Sequence, residues 1–490
     1  MIRQQVSHPI TVRSLCSSAC LIAVLLLTAC APLPPASTRL IEKLPSEFAT
    51  SSTFTAAVVQ WPTMNWWNSY QDAQLDQLIE EGLRGSPNLA IAQARLNRAQ
   101  AYTQVAGAPL QPQISATAAA GVQRLSYNYL TPDTTVLRGW NQVAQTTLSM
   151  NWEIDFWGKY RSALAAATSE LQASEAEQAQ AVLVLTTALT ASYAELARLF
   201  AQQTTSQRAV EIRTQTSTLF KERFNHGLET LASVREADSK RAQAKTELLL
   251  IAEQIDLQRN RIAALLGAGP DRGRLISAPK AAPSMKSGLP ENLTMDLLGR
   301  RPDIVAARLQ TQAFSSRIDQ RQADFYPNIN LVAFIGVQSL GLDRLSQGGS
   351  QFGAAGPAIS LPIFTGGRLQ GELRAAQATY DESVAIYNRT LTAALQEVAD
   401  AITSIKALTG QLEQAELGLV AAREAFTMIA GRYRGGLANY IEVLIAEDIM
   451  LTSLRSVTEL RARRLLLDVL LIRALGGGYQ QKSQPPIANK

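Results

Sequence analysis

The chain has 490 residues, 46% of them apolar and 18% charged, enough to bury a large core and too apolar for a disordered tail. Its formal charge of +5 falls to +3, 44 basic against 41 acidic residues, once a leader carrying Arg3 and Arg13 is set aside, so nucleic acid is not an expected partner. Cysteines occur only at 16, 20 and 30 and histidines only at 8 and 226, which leaves the body without a disulfide framework, a thiolate metal site or the histidines for acid–base chemistry.

The chain opens with basic residues and no acid, followed by Leu21-Ile22-Ala23-Val24-Leu25-Leu26-Leu27, an apolar run too short to span a bilayer. This reads as a bacterial secretory signal over 1–29. It ends in Leu27-Thr28-Ala29-Cys30, which resembles the lipobox of bacterial lipoproteins; the resemblance implies diacylglycerol and an N-acyl chain on Cys30, with no other cofactor. Ala31 follows where, in the enteric pattern, an aspartate would favour inner-membrane retention, so the resemblance points to the outer membrane. Residues 30–65 are rich in proline, serine and threonine and are expected to be a lipid-anchored tether.

Folded structure is expected from Trp66-Trp67, with Leu75, Leu78 and Ile79 giving the first helical spacing. A helix opening at Ser86-Pro87-Asn88 precedes Pro112 by the same interval that separates Arg301-Pro302-Asp303 from Pro327. Arg223-Phe224-Asn225-His226-Gly227-Leu228 matches Arg432-Tyr433-Arg434-Gly435-Gly436-Leu437, and Leu266-Gly267 matches Leu475-Gly476. These ordered matches indicate a duplication, with a first repeat over 66–267, a linker over 268–289, a second repeat over 290–476 and a flexible tail over 477–490.

Each repeat is expected to hold a helix, a strand pair and two long helices. After Pro112, Leu148, Met150, Trp152 and Ile154 alternate with polar residues; after Pro327 the alternation of Ile329, Leu331, Ala333 and Ile335 is less clean, since Val332 and Phe334 interrupt it. Such strands suit a membrane barrel wall or a soluble sheet with one packed face. Aromatic residues cluster at Trp152, Phe156, Trp157, Phe325, Tyr326 and Phe364, and again at Tyr127, Tyr129 and Trp140, as interface belts would.

The run from Lys159 to His226 lacks glycine and proline and predicts a helix about 100 Å long. Val182, Leu185, Leu189, Tyr193, Leu196 and Phe200 give it one narrow apolar seam, with the other faces wet. Four strands per chain cannot close a bilayer-spanning sheet, for which about eight is the minimum; three chains would supply about twelve.

Together, Trp152-Glu153-Ile154-Asp155-Phe156-Trp157-Gly158-Lys159, Gly299-Arg300-Arg301-Pro302-Asp303-Ile304, Phe325-Tyr326-Pro327, Leu361-Pro362-Ile363-Phe364-Thr365-Gly366-Gly367-Arg368 and Gln396-Glu397-Val398 resemble the outer-membrane efflux factors of the TolC and OprM type, lipoprotein subgroup. The resemblance implies a mainly α, internally duplicated fold with a trimeric α-helical tunnel and a twelve-stranded β-barrel, four strands per chain. It implies an outer-membrane channel, not an enzyme, that extends into the periplasm and passes drugs or other small molecules from an adaptor protein and an inner-membrane pump of RND type. The alternatives are a duct for type I protein secretion and a structural periplasmic coiled-coil lipoprotein. It also places a periplasmic tip and gate at Arg223, Phe224, Gly227, Arg432, Tyr433, Gly436 and Glu442, with Ser233 standing where an acid is often found. Without the resemblance, the glycines and arginines are equally readable as helix ends and nothing more.

Overall fold

The computed structural model describes residues 39–50, 53–54, 58–126, 138–280, 288–290 and 293–481; Cys30, Tyr127 and Tyr129 lie outside them. In chain order the elements are α1 (Ala73–Gly85), α2 (Pro87–Gly107), β1 (Gln113–Gln123), β2 (Asn141–Glu153), α3 (Lys159–Asn225), α4 (Leu231–Leu265), α5 (Pro270–Arg274), α6 (Leu293–Arg300), α7 (Pro302–Ala323), β3 (Asn328–Leu340), β4 (Gln351–Ser360), α8 (Arg368–Arg434) and α9 (Tyr440–Ala474). The two halves repeat the same series. Helices α3 and α8 each have 67 residues, and α4 and α9 each have 35. Proline opens both α2 and α7, where the missing amide costs nothing.

Contacts divide the described residues into two compact units that cut across the repeats: those within Met1–Ile41, Asn97–Gln172 and Leu309–Ala385 form one, and those within Glu42–Leu96, Ala173–Arg308 and Ile386–Lys490 the other. The first unit holds a four-stranded antiparallel sheet in the order β1-β2-β3-β4. Its register pairs Ile114 with Met150, Leu148 with Ile335, Trp152 with Leu331 and Ile329 with Ile359, so one apolar face runs across all four strands. The opposite face carries Ser115 opposite Ser149 and Gln145 opposite Gln338. The interruptions in the second pair fall on this polar face, where Phe334 meets Phe352 at a ring distance of 5.6 Å and Phe352 stands opposite Gly336.

At the end of this sheet two of the motifs meet. Asp155 accepts from the amides of Tyr160 and Arg161 at 3.0 and 2.9 Å, which caps the start of α3, and Gly158 takes φ +78° to admit the bend. Trp157 stacks on Tyr326 at 4.7 Å and donates its indole N–H to the Pro327 carbonyl at 2.8 Å. Phe325 departs from the expected interface position: its ring is 2% exposed, buried among Ile318, Leu369 and Leu373. Phe156, Trp157 and Phe364 remain exposed, as does Trp140.

In the second unit, Leu185, Leu189, Tyr193 and Leu196 of α3 pack with Trp66, Trp67, Leu75, Leu78 and Ile262. The seam is wider than the apolar pattern implies. Thr186, Thr187 and Thr190 are also buried, because each hydroxyl satisfies itself on a carbonyl three or four residues back. Arg301 binds Asp303 at 2.6 Å, Glu397 at 2.7 Å and the Ala474 carbonyl at 3.1 Å, so the Arg-Pro-Asp and Gln-Glu-Val motifs form one clamp on the end of α9.

The described residues of the tether and tail make specific contacts that their composition does not announce. The Lys43 amide donates to Asn388 Oδ1 at 2.9 Å, and Phe48, Phe54 and Trp61 pack against a core that includes Leu293, Tyr387 and Leu391. In the linker, α5 is held by Arg272 on Glu81 at 2.9 Å. In the tail, Gly477 and Gly478 fit against Leu183 and Thr63, and the Gln481 amide donates to the Gly299 carbonyl at 3.0 Å.

Candidate functional site

The expected site residues gather at two turns, α3 to α4 and α8 to α9, which close by the same chemistry. At the first, the Leu228 amide reaches back to the Arg223 carbonyl (2.8 Å) and the Gly227 amide to the Phe224 carbonyl (2.9 Å). At the second, Leu437 reaches Arg432 (2.9 Å) and Gly436 reaches Tyr433 (3.1 Å). These are paired Schellman closures, which need a left-handed residue, and Gly227 and Gly436 supply it at φ +72° and +77°. The next helix then opens on a side-chain cap: Thr230 accepts from the Ser233 amide and Asn439 from the Glu442 amide.

Between the turns lies an aromatic and cationic contact. The Tyr433 ring is 2% exposed, packs on Phe220 at 5.4 Å and sits under the Arg223 guanidinium at 4.5 Å. Phe220 also meets Tyr440 edge-on at 5.9 Å, so both helices of the second hairpin converge on one residue of the first. The Tyr433 hydroxyl donates to Glu229 Oε2 at 3.3 Å, and Arg223 Nη1 donates to the Tyr433 carbonyl at 3.4 Å. Burial, reinforced by the Glu229 carboxylate and opposed by Arg223, pushes the phenol up to about 12, so it stays a neutral donor at physiological pH.

Arg223 and Tyr433 are thus brought together across the two hairpins. Arg432 is not: it is exposed and donates to the Leu437 carbonyl of its own turn at 3.1 Å. Glu442 also acts locally, accepting from the Asn439 amide at 3.4 Å in a reciprocal capping box. Phe224 is partly exposed beside the turn. Phe220, Glu229 and Tyr440 escape sequence reasoning because the contacts that define them span about two hundred residues of chain.

Among the described residues no group of histidines, cysteines and acids could hold a metal ion. The family model described as outer membrane efflux protein matches residues 78–268 and 293–477. The chain is 30% identical over 427 residues to the multidrug resistance outer membrane protein MdtP of Escherichia coli, covering 86% of this chain and 87% of that one. It is 35% identical over 325 residues to the fusaric acid resistance protein FusA of Burkholderia cepacia, covering 65% and 60%. The crystal structure of the outer membrane protein VceC of Vibrio cholerae superposes with a TM-score of 0.82 at 45% identity, covering 86% of this chain and all of that one.

Proposed function

Because the chain belongs to the outer membrane efflux protein family, we propose that it is the outer-membrane duct of a tripartite exporter. Three copies close a barrel of about twelve strands, their long helices form a tunnel through the periplasm, and a periplasmic adaptor and an inner-membrane pump of RND type feed it. Acyl chains on Cys30 anchor each chain in outer-membrane lipid.

The observation that carries this reading is the sheet. It has an apolar face across all four strands and two outer edges, on β1 and β4, whose backbone groups have no strand partner among the described residues. An apolar sheet face suits lipid, but open edges cannot persist there, and further copies of the same sheet supply the missing partners. The relatives' names concern resistance to drugs and to fusaric acid, which favours small molecules over proteins as cargo. Transport is passive, the pump supplying the energy. The twin turns form the periplasmic entrance, with the Arg223–Tyr433 contact holding one chain's hairpins together there and the exposed Arg432 facing the adaptor.

Native mass spectrometry of the protein extracted in mild detergent, paired with conductance in planar bilayers, tests the assembly. A trimer that conducts is expected. A conducting monomer or dimer would contradict the strand arithmetic.

A further inference from the structure

One buried charge layer belongs to neither turn. Glu447, on the second turn of α9, is 0% exposed, yet it is ionisable and lies among Val443, Leu444, Met450 and Leu451, the apolar face of the helix. Arg213 of α3, itself 8% exposed at its side chain, places Nη1 at 2.8 Å from Glu447 Oε1, but the two atoms are misaligned and neither makes a hydrogen bond. The other oxygen accepts from the Thr216 hydroxyl at 2.6 Å. Arg213 is shared with Asp448, which also takes Lys240 of α4 at 2.6 Å. The charged groups acting on Glu447 are therefore Arg213 from α3, Lys240 from α4 and Asp448 from its own helix.

Glu447 thus has part of one cation and one properly hydrogen-bonded oxygen, with no access to water. Asp448, half in solvent, has two cations. We propose that Glu447, seated between Arg213 and Thr216, is a proton-operated latch between α9 and the α3/α4 hairpin that grips more tightly as the surroundings turn acid.

The sign follows from comparing two states. With α9 packed, burial raises the Glu447 carboxyl above its ordinary range, against the pull of Thr216 and Arg213. With α9 lifted away, water reaches the carboxyl and its ordinary value returns. The packed state therefore binds the proton more tightly and is favoured as pH falls through the raised value, while the cost of burying the carboxylate is in force above it. Asp448 opposes this, but hydrogen bonds from Lys240 and Arg213 hold it below the usual range despite partial burial, so it stays ionised through the same window. Protonated Glu447 leaves Arg213 with Asp448, and the layer keeps a paired cation.

Amide hydrogen exchange on the full chain in detergent reads the latch directly, in peptides covering 440–455. Protection, corrected for intrinsic rates, is compared at about pH 7.5 and about pH 4.5, the ordinary value of the carboxyl. The wild type should gain protection in acid, by up to about tenfold for each pKa unit separating the two states. Glu447→Gln, which mimics the protonated form at equal volume, should be protected and flat. Thr216→Val removes the hydrogen bond favouring the carboxylate, so its response should be centred at higher pH. A Glu447→Gln response equal to the wild type, or wild-type loosening in acid, would overturn the latch. The consequence for conduction rests on the duct reading: conductance should fall in acid for the wild type and stay low for Glu447→Gln. Exchange that responds while conductance does not would sever the latch from the duct and leave the latch standing.

Discussion

Tyr433 offers the sharpest separation between ring and hydroxyl at the proposed entrance. Truncation to alanine removes a fully buried ring from between Phe220 and Arg223, at about 3–5 kcal/mol for the lost packing and cavity. It also removes a cation–π contact at 4.5 Å, worth about 1–2 kcal/mol where partly desolvated. Truncation to phenylalanine removes only a 3.3 Å hydrogen bond to Glu229, about 0.5–1 kcal/mol. If this contact holds the hairpins of one chain together at a closed entrance, Tyr433→Ala should raise single-channel conductance markedly while the trimer survives in native mass spectrometry. Tyr433→Phe should change the closed population by no more than about fivefold. Two results would refute the reasoning: phenylalanine opening the channel as fully as alanine, which would assign the tie to the hydroxyl, or alanine leaving conductance at the wild-type level.

Mass spectrometry of membrane-extracted protein should show cleavage after Ala29 and acyl mass on Cys30; an unmodified Cys30 would remove the anchor. Gly336→Ala should block assembly into the outer membrane, because a β-carbon there would collide with the Thr146 carbonyl and stand 2.9 Å from the Phe352 ring, whereas Gly356→Ala, with open space, should assemble normally in membrane fractionation. Arg301→Gln should destabilise the chain by about 2–4 kcal/mol in denaturant unfolding, since it strips the clamp from Asp303, Glu397 and the Ala474 carbonyl.

Much of the scaffold was legible because it rests on local rules. The glycine- and proline-free run to His226 becomes a helix ending at Asn225, since a Schellman turn takes its last residue out of the helix. The strands follow Pro112 and Pro327 as read, and the apolar alternation lands on one sheet face. The failures were of two kinds. Phe325, Phe48 and Trp61 are placed by long-range packing that carries no periodic signal. The capping role of Glu442 and the burial of Glu447 were legible in principle but went unread: Asn439 three residues before Glu442 spells a capping box, and Glu447 interrupts an apolar face at helical spacing.

The two repeats keep identical lengths in their long helices, 67 and 35 residues, while their turns differ. At the position of Glu442 the first repeat has Ser233, whose hydroxyl is buried and turned back onto the Thr230 carbonyl at 2.8 Å. Both residues serve the same structural end, closing the first turn of a helix, so capping alone does not require the carboxylate. In a trimeric duct of the kind proposed, the entrance would carry one such acid per chain instead of two, a weaker negative ring than two identical turns would build. Glu447 corresponds to Asp238 in the first repeat, which is paired with Lys221 at 2.9 Å and Arg241 at 3.1 Å and accepts from Ser217 at 2.8 Å, a fully served carboxylate held below its ordinary range by those hydrogen bonds. The same helical site therefore carries a satisfied acid in α4 and an underserved one in α9. On the proposed latch the two hairpins answer acid with opposite sign: Glu447, raised by burial, tightens α9 as pH falls, whereas Asp238, held below its ordinary range by its partners, gives up its stabilisation of α4 as pH falls through that range.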